Sequence, residues 1–399
     1  MWTLVAPLRA QIASRVKFSQ DADGAKLFLC GDVMTGRGID QILPFQVDPR
    51  IFEPYVTDAR DYVAMAERAN GPVARPVDST YIWGDALEEL ELMAPDVRIV
   101  NLETAVTSGG QPRPKGINYR MHPGNVGCLT AARLHCCALA NNHVLDWGYD
   151  GLEETLAVLE TAGIRYAGAG RDLASARTPA ICGLASGGRV LVFGLGDVSS
   201  GIGWQWGAAE GRPGVNLLDD LSEDAIREVA DQVATYKRPG DIAVASVHWG
   251  GNWGYGIPSE HRAFARGLID TAGIDLVHGH SSHHVKGIEV YRDKLILYGC
   301  GDFLNDYEGI GGHEAFRGDL GLMYFPRLDR ATGRLLDLAM TPTRIRRLRV
   351  NRASKAEGAW LAEVLDREGS ALGTGVEIRH DGRLSLRWRQ QSAESTRDG

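Results

Sequence analysis

The chain has 399 residues and a net charge of −8, and its composition is that of an ordinary globular protein, 44% hydrophobic and 24% charged. Its length exceeds a typical single domain, so one large α/β unit with appendages, or two units, is expected. The negative balance argues against a nucleic-acid partner, which would need a basic footprint; the one dense basic run, Arg344–Arg352, alternates and reads as a strand with one solvated face.

The opening residues 1–25 read as an N-terminal arm. Its short apolar stretch has no charged lead-in and is interrupted by Arg9, so neither a signal peptide nor a membrane span is expected there. From Lys26 onward one unit recurs: an apolar run rich in Val, Ile and Leu, a loop, then a helix of period near 3.6. The runs Lys26–Gly31, Val97–Leu102, Cys136–Ala140, Arg189–Leu195, Asp241–Val247, Ile274–Val277 and Lys294–Gly299 are predicted strands covered on both faces.

Helices are predicted between them. One spans Asp58–Ala69, and Ala86, Leu90 and Met93 stripe another that stops before Pro95. Asp150 is placed to cap a helix carrying Leu152, Leu156 and Leu159, and Ser259 one carrying Phe264 and Leu268; glycines 163 and 273 end them. The alternation predicts a largely parallel sheet with right-handed crossovers. Gly38–Trp83 and Asp197–Asn216 break the rhythm, the second being rich in Gly and Trp like an active-site loop. After a main unit at 26–350 come a helix (Ser354–Glu368) and a hairpin turning at Asp381–Gly382, filling 351–389; the polar tail 390–399 is expected to be disordered.

Six cysteines form no CxxC pair and no disulfide-like spacing, which suggests reduced, buried thiols and a cytoplasmic setting. No segment is apolar enough to span a bilayer, and no GxGxxG or Walker-type loop calls for a nucleotide.

The chemistry gathers where strands end. Asp32, Glu103, Asn142 with His143, His248 and the HGHSSHH segment each follow a predicted strand. Ligands of open α/β sheets bind outside the carboxyl ends of strands, so these loops should converge. Carboxylate, amide and imidazole donors suit Mn, Zn or Fe, and Mg or Ca less well, as one or two divalent ions. Alone, Asp32 or Glu103 reads as a turn or cap, and Asn141–Asn142 as a turn; four histidines at 278, 280, 283 and 284 are harder to explain by packing. The joint pattern carries the reading. The repeated tripeptides Cys30–Gly31–Asp32 and Cys300–Gly301–Asp302 read as a buried thiol before a turn glycine rather than as thiol chemistry.

GDVMTGR (31–37), NLET (101–104), ALANNH (138–143), VHWG (247–250), GHSSH (279–283) and LILYGCGDF (295–303) follow one another in the order of the CapA family of poly-γ-glutamate and capsule synthesis proteins, which the chain resembles from Lys26 to Arg349. That resemblance implies a calcineurin-like metallophosphoesterase fold, a four-layer α/β/β/α sandwich with a one- or two-metal site. By position, Asp32 would bind the first metal and Glu103 would be the bridging carboxylate. Asn142, His248 and His280 would hold the second metal, His283 would return to the first, and His143 would be an acid or base beside them. Arg37 would either steady an anionic substrate group or form a surface salt bridge.

Departures from the pattern matter. The broader fold has a histidine where this chain has Met34, its bridging carboxylate is usually an aspartate, and the family commonly has Asn where Asp302 stands, followed here by Asp306 and Glu308. The first metal site is thus depleted, and Asp302 becomes a candidate ligand or base. Three functions are carried forward. The first is metal-dependent hydrolysis of a phosphoester or a peptide or γ-glutamyl-type bond in poly-γ-glutamate or capsule biosynthesis. The second is metal-assisted α-proton abstraction by groups such as His143, His284 or Asp302, giving an epimerised peptide or amino acid; the tryptophan-rich loops would hold the substrate. The third is a non-catalytic, metal-stabilised factor that assembles the polymer.

Overall fold

The computed structural model describes residues 24–185 and 187–389. The arm expected before Gly24 and the tail expected from 390 lie outside the described residues.

Alternation along strand β1 (Gly24–Val33) divides the core. Leu27 and Leu29 point to one face and Phe28 and Cys30 to the other, and all four are buried. Phe28 and Cys30 pack with Val63, Leu90 and Leu156, from helices α1 (Arg60–Asn70), α2 (Asp85–Met93) and α3 (Gly148–Thr161). Leu27 and Leu29 instead join Val192, Val244 and Leu276 of a second sheet. The outer face of that sheet, through Phe193 and Val247, meets Val229 and Phe264 of α4 (Glu223–Tyr236) and α5 (Ser259–Asp270). Burial on both faces explains why these strands read as unbroken apolar runs.

The first sheet has ten strands. On one side of β1 run β2 (Val97–Leu102), β3 (Cys136–Ala138) and β4 (Arg165–Ala167), all parallel. The six-stranded second sheet centres on β5 (Arg189–Gly196), β6 (Ile242–His248), β7 (Leu276–His280) and β8 (Lys294–Leu297), again parallel. The short β9 (Asp302–Leu304) pairs parallel with the end of β1.

The other half of the first sheet corrects the expectation of a largely parallel array. β10 (Leu320–Asp329) pairs antiparallel with β1 and forms a long hairpin with β11 (Leu335–Ile345), and the C-terminal hairpin, Thr374–Ile378 with Leu384–Trp388, extends it. Arg344–Arg352 is not one strand. It turns through Arg347 and Leu348, both at positive φ, into Val350–Arg352, which pairs back onto β11. Two caps also differ. Asp150 lies inside the first turn of α3, after Trp147 at the cap position, and Ser259 is the first residue of α5, after Pro258. Ser354 caps the last helix (Lys355–Ser370) in a reciprocal box with Glu357. Among the described residues all six cysteines are free and buried, and no helix is long and apolar enough to cross a membrane.

Candidate metal centre

The predicted ligands come together because parallel strands of both sheets end on the same side. Asp32 ends β1 beside Asn101 of β2, and His248 and His280 face each other in register at the ends of β6 and β7. β1 and β9 cross so closely that a Cβ on Gly31 would lie 1.6 Å from the carbonyl oxygen of Gly301. The two Cys-Gly-Asp tripeptides are therefore neighbours, and their glycines permit the approach.

Three donors form the tightest group: one ligand atom each from Asp32, His248 and His280 lies within 4.8 Å of the others, and all three residues are buried. Asn101 Nδ2 donates to Asp32 Oδ1 at 2.7 Å, orienting the carboxylate. Glu103 Oε1 stands 3.8 Å from His248 Nε2, and Asn142 Oδ1 is 3.0 Å from the same nitrogen.

The proton positions follow from the partners. His278 Nε2 donates to the Cys30 carbonyl at 2.7 Å, and burial pulls the pKa of this ring down to about 4, so its Nδ1 carries a bare lone pair. Ser246, on β6, has one hydroxyl proton and stands 3.1 Å from that Nδ1 and 2.9 Å from His280 Nε2. The hydroxyl donates to His278 and accepts from His280, which leaves His280 a lone pair on Nδ1. That lone pair faces His248 Nδ1 at 2.8 Å. Burial, with the neighbouring imidazoles, depresses the pKa of both His248 and His280 far below the ordinary value, so both rings are neutral. With the Asn142 oxygen facing the ring, the single His248 proton cannot serve both Asn142 and His280. One contact is left lone pair against lone pair beside a carboxylate. The donor set fits a divalent cation.

Acidic groups crowd the same place. Burial, then the charge of Asp302, holds the Asp32 carboxyl up at about 7, and burial with the Asp32 charge pushes Glu103 well above the usual carboxylate range. Such clustering is costly unless a cation or protons neutralise it.

Two imidazoles flank the group. His143 Nδ1 donates to Asp146 Oδ2 at 2.6 Å, and Asp146 also accepts from Lys115 Nζ at 2.8 Å and from the Tyr119 amide at 2.6 Å. His143 Nε2 is 3.9 Å from Glu103, and the ring stacks on Tyr119 with centroids 3.8 Å apart. Burial pulls its pKa to about 4, only partly offset by Asp146, so Nε2 is an acceptor at neutral pH. On the other side His283 Nδ1 donates to Asp302 Oδ1 at 2.9 Å, and Asn305 Nδ2 donates to Asp302 Oδ2 at 2.7 Å. Burial disfavours the His283 cation, but the charge and hydrogen bond of Asp302 together with the Asp32 charge offset it and raise the pKa. His283 thus stands with Asp302 rather than inside the three-donor group.

Two sequence readings change. Arg37 is buried, 4% exposed, and its guanidinium is held by Glu53 and Asp306 beneath the rings of Tyr62 and Tyr119. It is neither a surface ion pair nor an unengaged anion holder. His284 is satisfied by backbone, Nδ1 donating to the Val285 carbonyl at 3.0 Å and Nε2 accepting from the Gly254 amide at 3.1 Å, so it has no nitrogen left to move a proton. Asp146, Lys115, Ser246 and the tyrosines 119 and 307 escaped the sequence reading. Only Asp146, three residues after His143, carried a local signal.

Residues 26–307 match the family described as bacterial capsule synthesis protein PGA_cap, and the chain belongs to that family. It is 50% identical over 366 residues to proteins of Mycobacterium tuberculosis strains CDC 1551 and H37Rv, each named probable polyglutamine synthesis accessory protein; 91% of this chain and 96% of theirs align. It is 28% identical over 278 residues to the PGA biosynthesis protein CapA of Bacillus subtilis strain 168, aligning 69% of this chain and 62% of that protein.

Proposed function

We propose that the chain is a metal-dependent hydrolase acting on a phosphoester or on a peptide or γ-glutamyl-type bond, within the synthesis of poly-glutamate or capsule-type polymer. The convergence of buried ligand atoms from Asp32, His248 and His280 within 4.8 Å of one another carries this reading. The sheet–core–sheet packing with helices outside supports a four-layer metallophosphoesterase-like sandwich over 26–350, with 351–389 as its extension. The free cysteines support a cytoplasmic setting. The names of the relatives supply the biosynthetic context.

Asp32, His248 and His280, with Asn142 and Glu103 beside them, would hold one dication; His283 and Asp302 would complete a second position next to Asp32. A bound dication lowers the pKa of water and stabilises developing negative charge. His143, fixed through Nδ1 by Asp146, presents Nε2 toward Glu103; there it takes a proton and returns it to the leaving group. Lys115 donates to Asp146 and holds it in place, and the Tyr119 ring holds the imidazole plane. A panel of phosphoesters and of α- and γ-linked glutamyl peptides, incubated with metal-loaded protein, tests this. Hydrolysis that disappears in His143→Asn is expected; no turnover of any substrate contradicts it.

A second reading has one observation in its favour: His143–Asp146 and His283–Asp302 are two oriented acid–base pairs beside the three-donor group. Such a pair could remove and return an α-proton, giving epimerisation without hydrolysis. Deuterium uptake at a peptide α-carbon in heavy water would favour it, and its absence with bond cleavage would favour hydrolysis. Metal binding with neither reaction would leave the assembly role.

A further inference from the structure

Beside the His283–Asp302 flank lies a cavity of about 640 Å³, a size that suits a small molecule or a short peptide segment. Three arginines reach its wall, Arg37, Arg317 and Arg344, and each already faces carboxylates. Arg37 is held by Glu53 and Asp306, while Arg317 and Arg344 share Asp319 and Glu357. Among the described residues a phosphate or polyglutamate chain would find no arginine there without a carboxylate partner. Apolar groups make up much of the remaining wall, among them Ile117, Ile310, Ile345 and Trp253, whose ring stacks on His313 with centroids 4.1 Å apart.

One donor is left over. The hydroxyls of Tyr119 and Tyr307 meet at 2.6 Å, and among the described residues neither makes another hydrogen bond. Two phenols own two protons and this contact uses one, so the pair presents a single proton to the cavity. Tyr119 is deeper and Tyr307 is the half-buried, outer member. The order Tyr119 to Tyr307 to ligand follows, each bond polarising the next. Arg37, beneath both rings at 4.8 and 5.4 Å, fixes their placement.

We propose that this cavity is the substrate-recognition pocket of the same site, and that it takes an uncharged, apolar peptide segment whose backbone carbonyl oxygen accepts the Tyr307 proton. This narrows the substrate classes of the proposed hydrolase and rests on that reading for its place beside the metal donors. Its recognition is tested by binding alone. Isothermal titration of the full chain, without metal and again with Mn(II), would compare an N-acetylated, C-amidated dipeptide of apolar residues with tri-γ-glutamate. The capped dipeptide should bind and tri-γ-glutamate should bind at least tenfold more weakly. Tyr307→Phe should weaken dipeptide binding by about tenfold, one hydrogen bond's worth. Tyr119→Phe, which keeps the outer donor, should cost less, and unchanged melting would show both variants folded. Preference for tri-γ-glutamate, no binding of the dipeptide, unchanged affinity in Tyr307→Phe, or a larger loss in Tyr119→Phe would each overturn the assignment. The Mn(II) titration in the same samples reports separately on the metal centre, so either idea can fail while the other stands.

Discussion

Asp32 and Asp302 stand side by side at the ends of parallel neighbours, with the Asp32 amide donating to the Gly301 carbonyl at 3.0 Å. Burial, and then the charge of Asp302, holds the proton on Asp32, and this shapes the pH behaviour of the metal-free protein. Burial and the Asp302 charge push the Asp32 carboxyl up to about 7, from an ordinary value of 3.8. Between those values the native state keeps a proton that the unfolded chain has lost, so this group destabilises the fold as pH rises through that window. Cation binding requires the carboxylate, so apparent metal affinity should fall as pH drops below about 7, approaching tenfold per unit if one proton is displaced. Asp302→Asn should move the onset to lower pH. A pH series of chelator-competition titrations checks both, and a flat profile contradicts them.

Ser246 touches no substrate and is expected to matter through His280. Ser246→Ala removes the hydroxyl that settles which His280 nitrogen carries the proton. Loss of such outer hydrogen bonds typically weakens metal binding by about 10- to 100-fold. Melting of the metal-free protein should move far less than the metal affinity does. Equal affinity in wild type and variant would show that the relay from Cys30 through His278 does not set the ligand.

Arg37 anchors structure. Arg37→Met would strand Glu53 and Asp306 without their cation in the interior, at a cost of about 3–5 kcal/mol. Denaturant unfolding should register most of that loss while metal stoichiometry is retained. A change below about 1 kcal/mol would mean that water reaches the pair.

Met34 sits buried near Asp32, its sulfur accepting from the Gly36 amide at 3.1 Å. Met34→His places an imidazole where the thioether now lies. The bound metal per chain, counted by elemental analysis, should rise if the depleted position lacks only that donor; an unchanged count would mean that the second position is closed for other reasons.

The donor cluster was legible in the sequence because each ligand follows a strand buried on both faces, and such strands announce themselves as apolar runs. Val97–Leu102 is the clearest, matching its predicted bounds. The hairpin of β10 and β11 was not legible. Pro326 and Pro342 interrupt its two runs, and proline argues against a strand interior in any single-sequence reading. The positioning groups were hidden for another reason. Tyr307 is 188 residues from Tyr119, and Ser246 is 32 from His278, so only the folded sheets reveal their hydrogen bonds. The surface salt-bridge reading of Arg37 failed because its partners, Glu53 and Asp306, come from a long loop and a distant turn and bury it.

Metal content of the protein purified without added metal, compared between wild type and His280→Ala, tests the central claim most directly. One or two divalent ions per chain in the wild type, lost in a variant whose circular dichroism is unchanged, is the predicted result. A wild-type chain that binds no dication, or a variant that binds as many as the wild type, would contradict it.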